Sequence, residues 1–416
     1  MHKIVLLFAL ACLPILTSAA DTPSETKIYK DESLARTPPM GWNSWNTFAC
    51  DINEALIRET TDAMVSSGMR DAGYIYVNID DCWHGQRDAQ GFIQPDAKRF
   101  PSGMKALADY VHSKGMKIGI YSDAGEKTCG GHPGSQGHEF QDAMQYASWG
   151  IDYLKYDWCS TGDRNPVEAY RTMATALRAT GRPIVFSICE WGDHKPWTWG
   201  APIGHLWRTT GDITNCWDCV VGHGSWFSNG VMRILDKQEE LRQYAGPGHW
   251  NDPDMMEVGN MANSNEDRAH FAMWAMLAAP LIAGNDVRNM SASTREILTN
   301  REVIAVDQDA LGIQGFPAKK EAGVEIWAKP LANDEWAIAV LNRNADPRKV
   351  TIDWATDTIE DAQFHRNPEF QSHTYRLRNL ISHATAGTTA QPLHVTVPAH
   401  DVAIYRLQRV TTPNTQ

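Results

Sequence analysis

Between residues 36 and 300, short apolar runs rich in Val, Ile and Tyr alternate with segments of helical period, and this restricts the fold more than any other feature of the chain. The runs fall at 74–79, 117–121, 153–156, 184–188, 206–210 and 281–283, with helical candidates at 57–67, 103–114, 139–149, 166–180 and 266–278. Strands separated by helices pair in parallel, because each helix carries the chain back to the same end of the sheet. About eight such repeats fit a closed barrel better than an open sheet. The expectation is a (β/α)8 TIM barrel over residues 21–310.

The pattern changes after Leu311-Gly312. No long helical period follows, and strand-like segments at 324–328, 335–341, 349–353, 374–377, 393–397 and 402–407 are punctuated by Asn, Asp, Pro and Gly. Such a succession predicts a C-terminal antiparallel β-sandwich over residues 311–416.

The N-terminus sets the expected compartment. Met1-His2-Lys3 is followed by an apolar run to Leu16 and by the small residues Ser18-Ala19-Ala20. This reads as a signal peptide over residues 1–20, too short for a membrane span. A lipoprotein signal at Cys12 fits poorly, because the apolar run continues past the cysteine. The protein is expected to be secreted or periplasmic, with no membrane insertion. A formal net charge of −12 argues against nucleic acid as a partner and suits a neutral ligand. The 16 Trp residues fit either a large core or a sugar site, since an indole face packs on the apolar face of a pyranose.

Catalytic side chains in such a barrel sit at the C-terminal ends of the strands. The run at 74–79 leads into Asp80-Asp81-Cys82-Trp83, and that at 117–121 into Ser122-Asp123. The run at 153–156 leads into Asp157-Trp158-Cys159, with Lys155 two residues earlier. Cys189-Glu190-Trp191 follows 184–188, Arg208 and Gly211-Asp212 mark the sixth run, and His249-Trp250-Asn251-Asp252-Pro253-Asp254 occupies the seventh position. Helix capping accounts for one or two carboxylates after strands, not for so many. Carboxylates beside Trp, without a basic cluster, suit a polyhydroxylated ligand, and glycosidic cleavage needs two carboxyl groups. His132 and His138 read as ordinary loop histidines, and no HExxH, P-loop or dinucleotide motif occurs, so neither a metal nor any other cofactor is expected.

The segment Thr37-Pro38-Pro39-Met40-Gly41-Trp42-Asn43-Ser44-Trp45 resembles the opening of glycoside hydrolase family 27, the α-galactosidases and α-N-acetylgalactosaminidases. The strand-end motifs just quoted resemble that family in order and spacing, as does Trp250-Asn251-Asp252-Pro253-Asp254-Met255. The resemblance implies a retaining α-galactosidase acting on terminal α-D-galactose in oligosaccharides, polysaccharide branches or glycoconjugates. It implies Asp157 as nucleophile and Asp212 as acid/base. Asp80 and Asp81 would grip the O6 and O4 hydroxyls, Lys155 would hold O3 and O4, and Arg208 and Asp254 would address O2 and O3. Trp45 and Trp191 would wall the ring, with Met255 beside it.

The same resemblance implies disulfides Cys50–Cys82 and Cys129–Cys159. Cys216-Trp217-Asp218-Cys219 could be a zinc half-site or redox pair, but no second Cys/His pair at ligand spacing accompanies it, so a local disulfide is expected. Cys189 is then left as a free thiol facing O2. Within the family, Cys189-Glu190-Trp191 leaves little room for a 2-acetamido group, which argues against an α-N-acetylgalactosaminidase. A pair able to bind O6 argues against a β-L-arabinopyranosidase. An inactive carbohydrate-binding protein is the alternative from another class.

Overall fold

The computed structural model describes residues 28–410, so the leader expected over residues 1–20 lies outside the described residues. Eight short strands form one parallel sheet. They are β1 (Met40–Asn43), β2 (Tyr76–Asn78), β3 (Lys117–Asp123), β4 (Tyr153–Asp157), β5 (Val185–Ile188), β6 (Leu206–Arg208), β7 (Trp250–Asp252) and β8 (Leu281–Ala283). Their spatial order is β7-β6-β5-β4-β3-β2-β1-β8. Met256, just past β7, bridges to Ala283 and joins the two ends of the curled sheet. Its N–H donates to the Ile282 carbonyl (2.7 Å), and its carbonyl accepts from the Gly284 N–H (2.9 Å).

Most crossover helices bury one face, and the one spanning Ser264–Leu277, caught between the barrel and the second sheet, is buried nearly all round. Those spanning Glu54–Ser66 and Ser264–Leu277 begin a little before the apolar period does, because asparagine caps set their starts. Asn53 accepts the Leu56 N–H, and Asn263 accepts those of Asn265 and Glu266. Each cap satisfies donors that have no partner within the helix. Strand β1, which lacks an apolar run of its own, is nonetheless buried along its length.

The last barrel helix ends at Asp307, and strand β9 (Phe316–Glu321) opens the second sheet. It is followed by β10 (Val324–Pro330), β11 (Trp336–Asn342), β12 (Arg348–Ile352), β13 (Tyr375–Asn379), β14 (Ala384–Thr388), β15 (Leu393–Val397) and β16 (Val402–Arg409). Six of these form an antiparallel sheet in the order β9-β10-β11-β16-β13-β14, and β12 pairs with β15. Strand β11 is buried at all seven positions. Ala337, Ala339 and Leu341 join the barrel core, while Trp336, Ile338 and Val340 join a second core inside the sandwich. The two-residue side-chain period of a strand thus serves both cores. A buried ion pair, Arg242 Nη2 to Asp361 Oδ2 at 2.7 Å, also links the two parts.

Candidate active site

The strand tops converge on one cavity of about 570 Å³. Trp45, Asp80, Asp81, Lys155, Asp157, Trp191, Arg208, Asp212, Asp254 and Met255 all line it. Residues over 200 positions apart in sequence meet there because neighbouring parallel strands end at the same rim.

Backbone geometry at the rim is unusual. Cys82, Trp191 and Asp254 hold φ values of 74°, 57° and 87°, in the left-handed region that side chains rarely occupy. Such conformations persist where surrounding contacts over-determine them, and they cluster at functional sites. Asp254 shows what fixes one of them. Its Oδ1 accepts the Met255 N–H (2.7 Å), its Oδ2 accepts the Ile213 N–H (2.9 Å), and its own N–H donates to Asp252 Oδ1 (2.9 Å).

Three charged groupings fill the floor. Asp80 Oδ2 accepts from Asn43 Nδ2 (2.7 Å) and from Lys155 Nζ (2.8 Å), and its Oδ1 accepts the Asp81 N–H (2.9 Å). Burial works against the charge on Lys155, but Asp80, Cys189 and Asp157 together outweigh it and hold the ammonium well above its usual pKa. Asp81 accepts the N–H of Cys82 (2.6 Å) and that of Gly130 (2.7 Å). A Cβ on Gly130 would stand 2.9 Å from the Asp81 carboxylate, so only glycine lets that N–H approach. On the far wall, Arg208 Nη2 bridges Asp212 Oδ1 (2.9 Å) and Asp254 Oδ2 (2.8 Å).

Asp157 sits between these groupings at the end of β4, 5% exposed. Its Oδ2 accepts from the Tyr121 hydroxyl (2.9 Å) and its Oδ1 from the Trp158 N–H (3.0 Å). Burial pushes its carboxyl up to about 6, with Lys155 opposing the rise and Asp212 adding to it. Asp212 is far more open, its side chain 36% exposed. One carboxylate is therefore fixed by two donors on the floor, and the other stands at the mouth on an arginine. Beneath them Asp123 faces Asp157 across the β3–β4 register, and burial followed by the Asp157 charge pushes it up to about 9.

Disulfides Cys50–Cys82, Cys129–Cys159 and Cys216–Cys219 are present, and Cys189 is the free cysteine among the described residues. Cys129 and Cys159 reach the cavity wall. Cys189, expected to face O2, is 1% exposed and does not line the cavity; Arg208 Nη1 donates to its sulfur at 3.8 Å from the lining above it. Several participants are not among those singled out from the sequence. Asn43 and Tyr121 act as donors to the floor carboxylates, and neither ends an acidic strand-top motif. Trp226 and Phe227 also line the cavity, 48% and 60% exposed, from a hairpin of Val220–Gly222 with Phe227–Asn229. The Gly222-His223-Gly224 turn is the one sequence cue to that hairpin.

Residues 37–309 match the family model described as alpha galactosidase A, and residues 321–407 match alpha galactosidase C-terminal beta sandwich domain. An alpha-galactosidase A of Cellvibrio japonicus is 57% identical over 392 residues, 94% of this chain and 97% of its own length. Alpha-galactosidase 2 of Arabidopsis thaliana is 47% identical over 397 residues, 95% of each chain. The solved structure of α-galactosidase from Saccharomyces cerevisiae with raffinose has a TM-score of 0.84 at 32% identity, covering 92% of this chain and 100% of that one.

Proposed function

Because the chain belongs to the alpha galactosidase A family over residues 37–309, we propose that it hydrolyses terminal, non-reducing α-D-galactose by double displacement, with Asp157 as nucleophile and Asp212 as acid/base. The observation that carries this reading is the pairing of a buried, doubly anchored carboxylate with an open one on a single cavity. In the first step Asp157 attacks C1 as Asp212 delivers a proton to the departing oxygen, leaving a β-linked galactosyl-enzyme. In the second, Asp212 takes a proton from water, the water oxygen attacks C1, and galactose leaves with its α configuration restored.

The remaining walls suit galactose. Asp80 and Asp81 are placed to accept from two hydroxyls on one side of a ring, O6 and the axial O4, and Lys155 donates beside them. Arg208 and Asp254 offer a donor and an acceptor on the O2 and O3 side. Trp45 and Trp191 supply apolar faces, and Met255 lines the same cavity. Trp226 and Phe227 extend the cavity past Asp212, where a leaving group would lie, and a yeast relative was solved with the oligosaccharide raffinose. An oligosaccharide, a polysaccharide branch or a glycoconjugate would meet the same wall. Three disulfides support an oxidising compartment, in keeping with a secreted or periplasmic protein.

A panel of nitrophenyl glycosides tests the specificity. The α-galactoside is expected to be turned over at least about 100-fold faster, in kcat/KM, than the α-glucoside, since a carboxylate left without its hydroxyl donor is costly, and faster than the α-N-acetylgalactosaminide, whose 2-acetamido group has little room beside Cys189-Glu190-Trp191. Equal rates on galactoside and glucoside would end the O4 reading of Asp80 and Asp81. The pH profile gives a second check. Only ionised Asp157 can attack, so kcat/KM is expected to fall as pH drops through about 6, the value to which burial raises this carboxyl. Activity sustained unchanged to pH 4 would show that burial does not raise the attacking carboxyl to about 6.

A further inference from the structure

His84 lies three residues after Asp81 and one after the Cys82–Trp83 turn. It is 2% exposed, and neither of its ring nitrogens makes a hydrogen bond. Stacking holds it in place, with the Trp83 ring at 4.0 Å and 27° on one side and the His132 ring at 5.8 Å and 13° on the other. The neighbouring Tyr121 carbonyl is taken by Trp83 Nε1 at 2.8 Å. Buried polar groups left without partners are few in folded proteins, and a phenyl ring would fill this slot without the cost. Asp81 Oδ1 lies 3.6 Å from His84 Nδ1, just beyond hydrogen-bond length. A movement of about half an ångström brings that pair to hydrogen-bond length.

We propose that His84 is a positioning residue for Asp81: its neutral imidazole donates from Nδ1 to Asp81 Oδ1 when galactose engages this carboxylate, fixing the carboxylate's orientation and keeping it ionised. The proposal rests on the reading of Asp81 as a sugar-gripping group. His132 and Arg87 are the titratable and charged groups around the ring besides Asp81. Burial, then both of these, holds the His84 pKa well below the usual histidine value, so the ring carries a single N–H through the working pH range. Asp81 needs such a donor. Burial raises its pKa and the Asp80 charge adds to the rise, against the N–H groups of Gly130 and Cys82 and the Thr128 side chain, and the net direction is still upward. One more N–H on the charged form lowers the pKa, and an ionised carboxylate accepts from a hydroxyl more strongly than a neutral acid does.

His84→Phe keeps a flat ring between Trp83 and His132 and removes only the donor. With nitrophenyl α-galactoside, KM is expected to rise about three- to tenfold with kcat unchanged, the scale of one hydrogen bond. The rise should grow as pH falls, and Tm should not drop, because two unpaired buried nitrogens are gone. A wild-type KM in this variant at all pH values overturns the proposal, as does a fall in Tm with equal losses in kcat and KM, which marks a structural role. Asp81→Asn, measured alongside, separates the two levels of inference. An unchanged KM there refutes the sugar-gripping reading of Asp81, whereas a raised KM there with none in His84→Phe refutes the His84 proposal alone. Nitrogen-15 spectra of the histidine-labelled wild-type protein give a readout that needs no variant. The Nδ1–H tautomer is expected, with the His84 Nδ1 signal moving as galactose is added. An Nε2–H tautomer, or an Nδ1 signal that galactose leaves in place, overturns the proposal.

Discussion

Asp157→Asn is expected to abolish turnover of every α-galactoside, by about 10⁴-fold or more, whatever the leaving group. The amide is nearly isosteric, so the Trp158 N–H and the Tyr121 hydroxyl keep a neighbour of the same shape. What disappears is the anion that attacks C1. An activated phenol cannot compensate, since no covalent intermediate can form by any route that needs this carboxylate. Measurement of kcat/KM on both an aryl galactoside and an oligosaccharide decides the matter. Retention of even a tenth of the activity on the aryl substrate would exclude Asp157 as nucleophile. Substrate affinity offers an internal control, because Asp80, Asp81 and Lys155 are untouched and the variant should still bind galactose.

Asp212→Asn is expected to separate the two half-reactions. With an activated phenol the leaving group needs little protonation, so the galactosyl-enzyme still forms. Water then lacks a base, and the variant should release one equivalent of phenol per site and stall. Slow turnover after the burst should fall about 10²- to 10⁴-fold below the native rate, the usual contribution of a general acid/base. On substrates with poor leaving groups the first step should fail as well. Azide requires no deprotonation, so adding it should restart turnover and yield an α-galactosyl azide of retained configuration. The stereochemistry is the decisive part, because two successive inversions give net retention. A β-configured azide from this variant, or β-galactose as the first product of the native enzyme, would show that the role assignment fails. The open placement of Asp212 agrees with a group that must meet both the departing oxygen and an entering water.

The chain order of amino acids determined the local elements and the chemistry at their ends. Apolar runs of strand length alternating with helical periods are properties of neighbouring residues, and backbone sterics convert them directly into strands and helices. The carboxylates that follow those strands were legible for the same reason. Strand β6 nevertheless stops at Arg208, short of the 206–210 run. Strands β9 and β14 escape notice altogether: β9 holds the run Phe316-Pro317-Ala318-Lys319-Lys320-Glu321 and β14 only small and polar residues, and pairing with β10 and β13 makes each a strand.

Only tertiary structure decided which side chains meet. Asn43 reaches Asp80 from another strand, Tyr121 reaches Asp157, and Gly130 reaches Asp81 across 49 residues of chain. A hydrogen bond of this kind depends on register and on the curl of the sheet, and neither leaves a periodic mark in sequence. The hairpin bearing Trp226 and Phe227 was hidden because its exposed aromatics face a cavity that exists only when Asp212 and the barrel rim are assembled. Strand β11 reads as apolar from Trp336 to Leu341, and burial alone cannot say against what; it is the docking of barrel helix and sandwich on its opposite faces that divides its alternate residues between two cores.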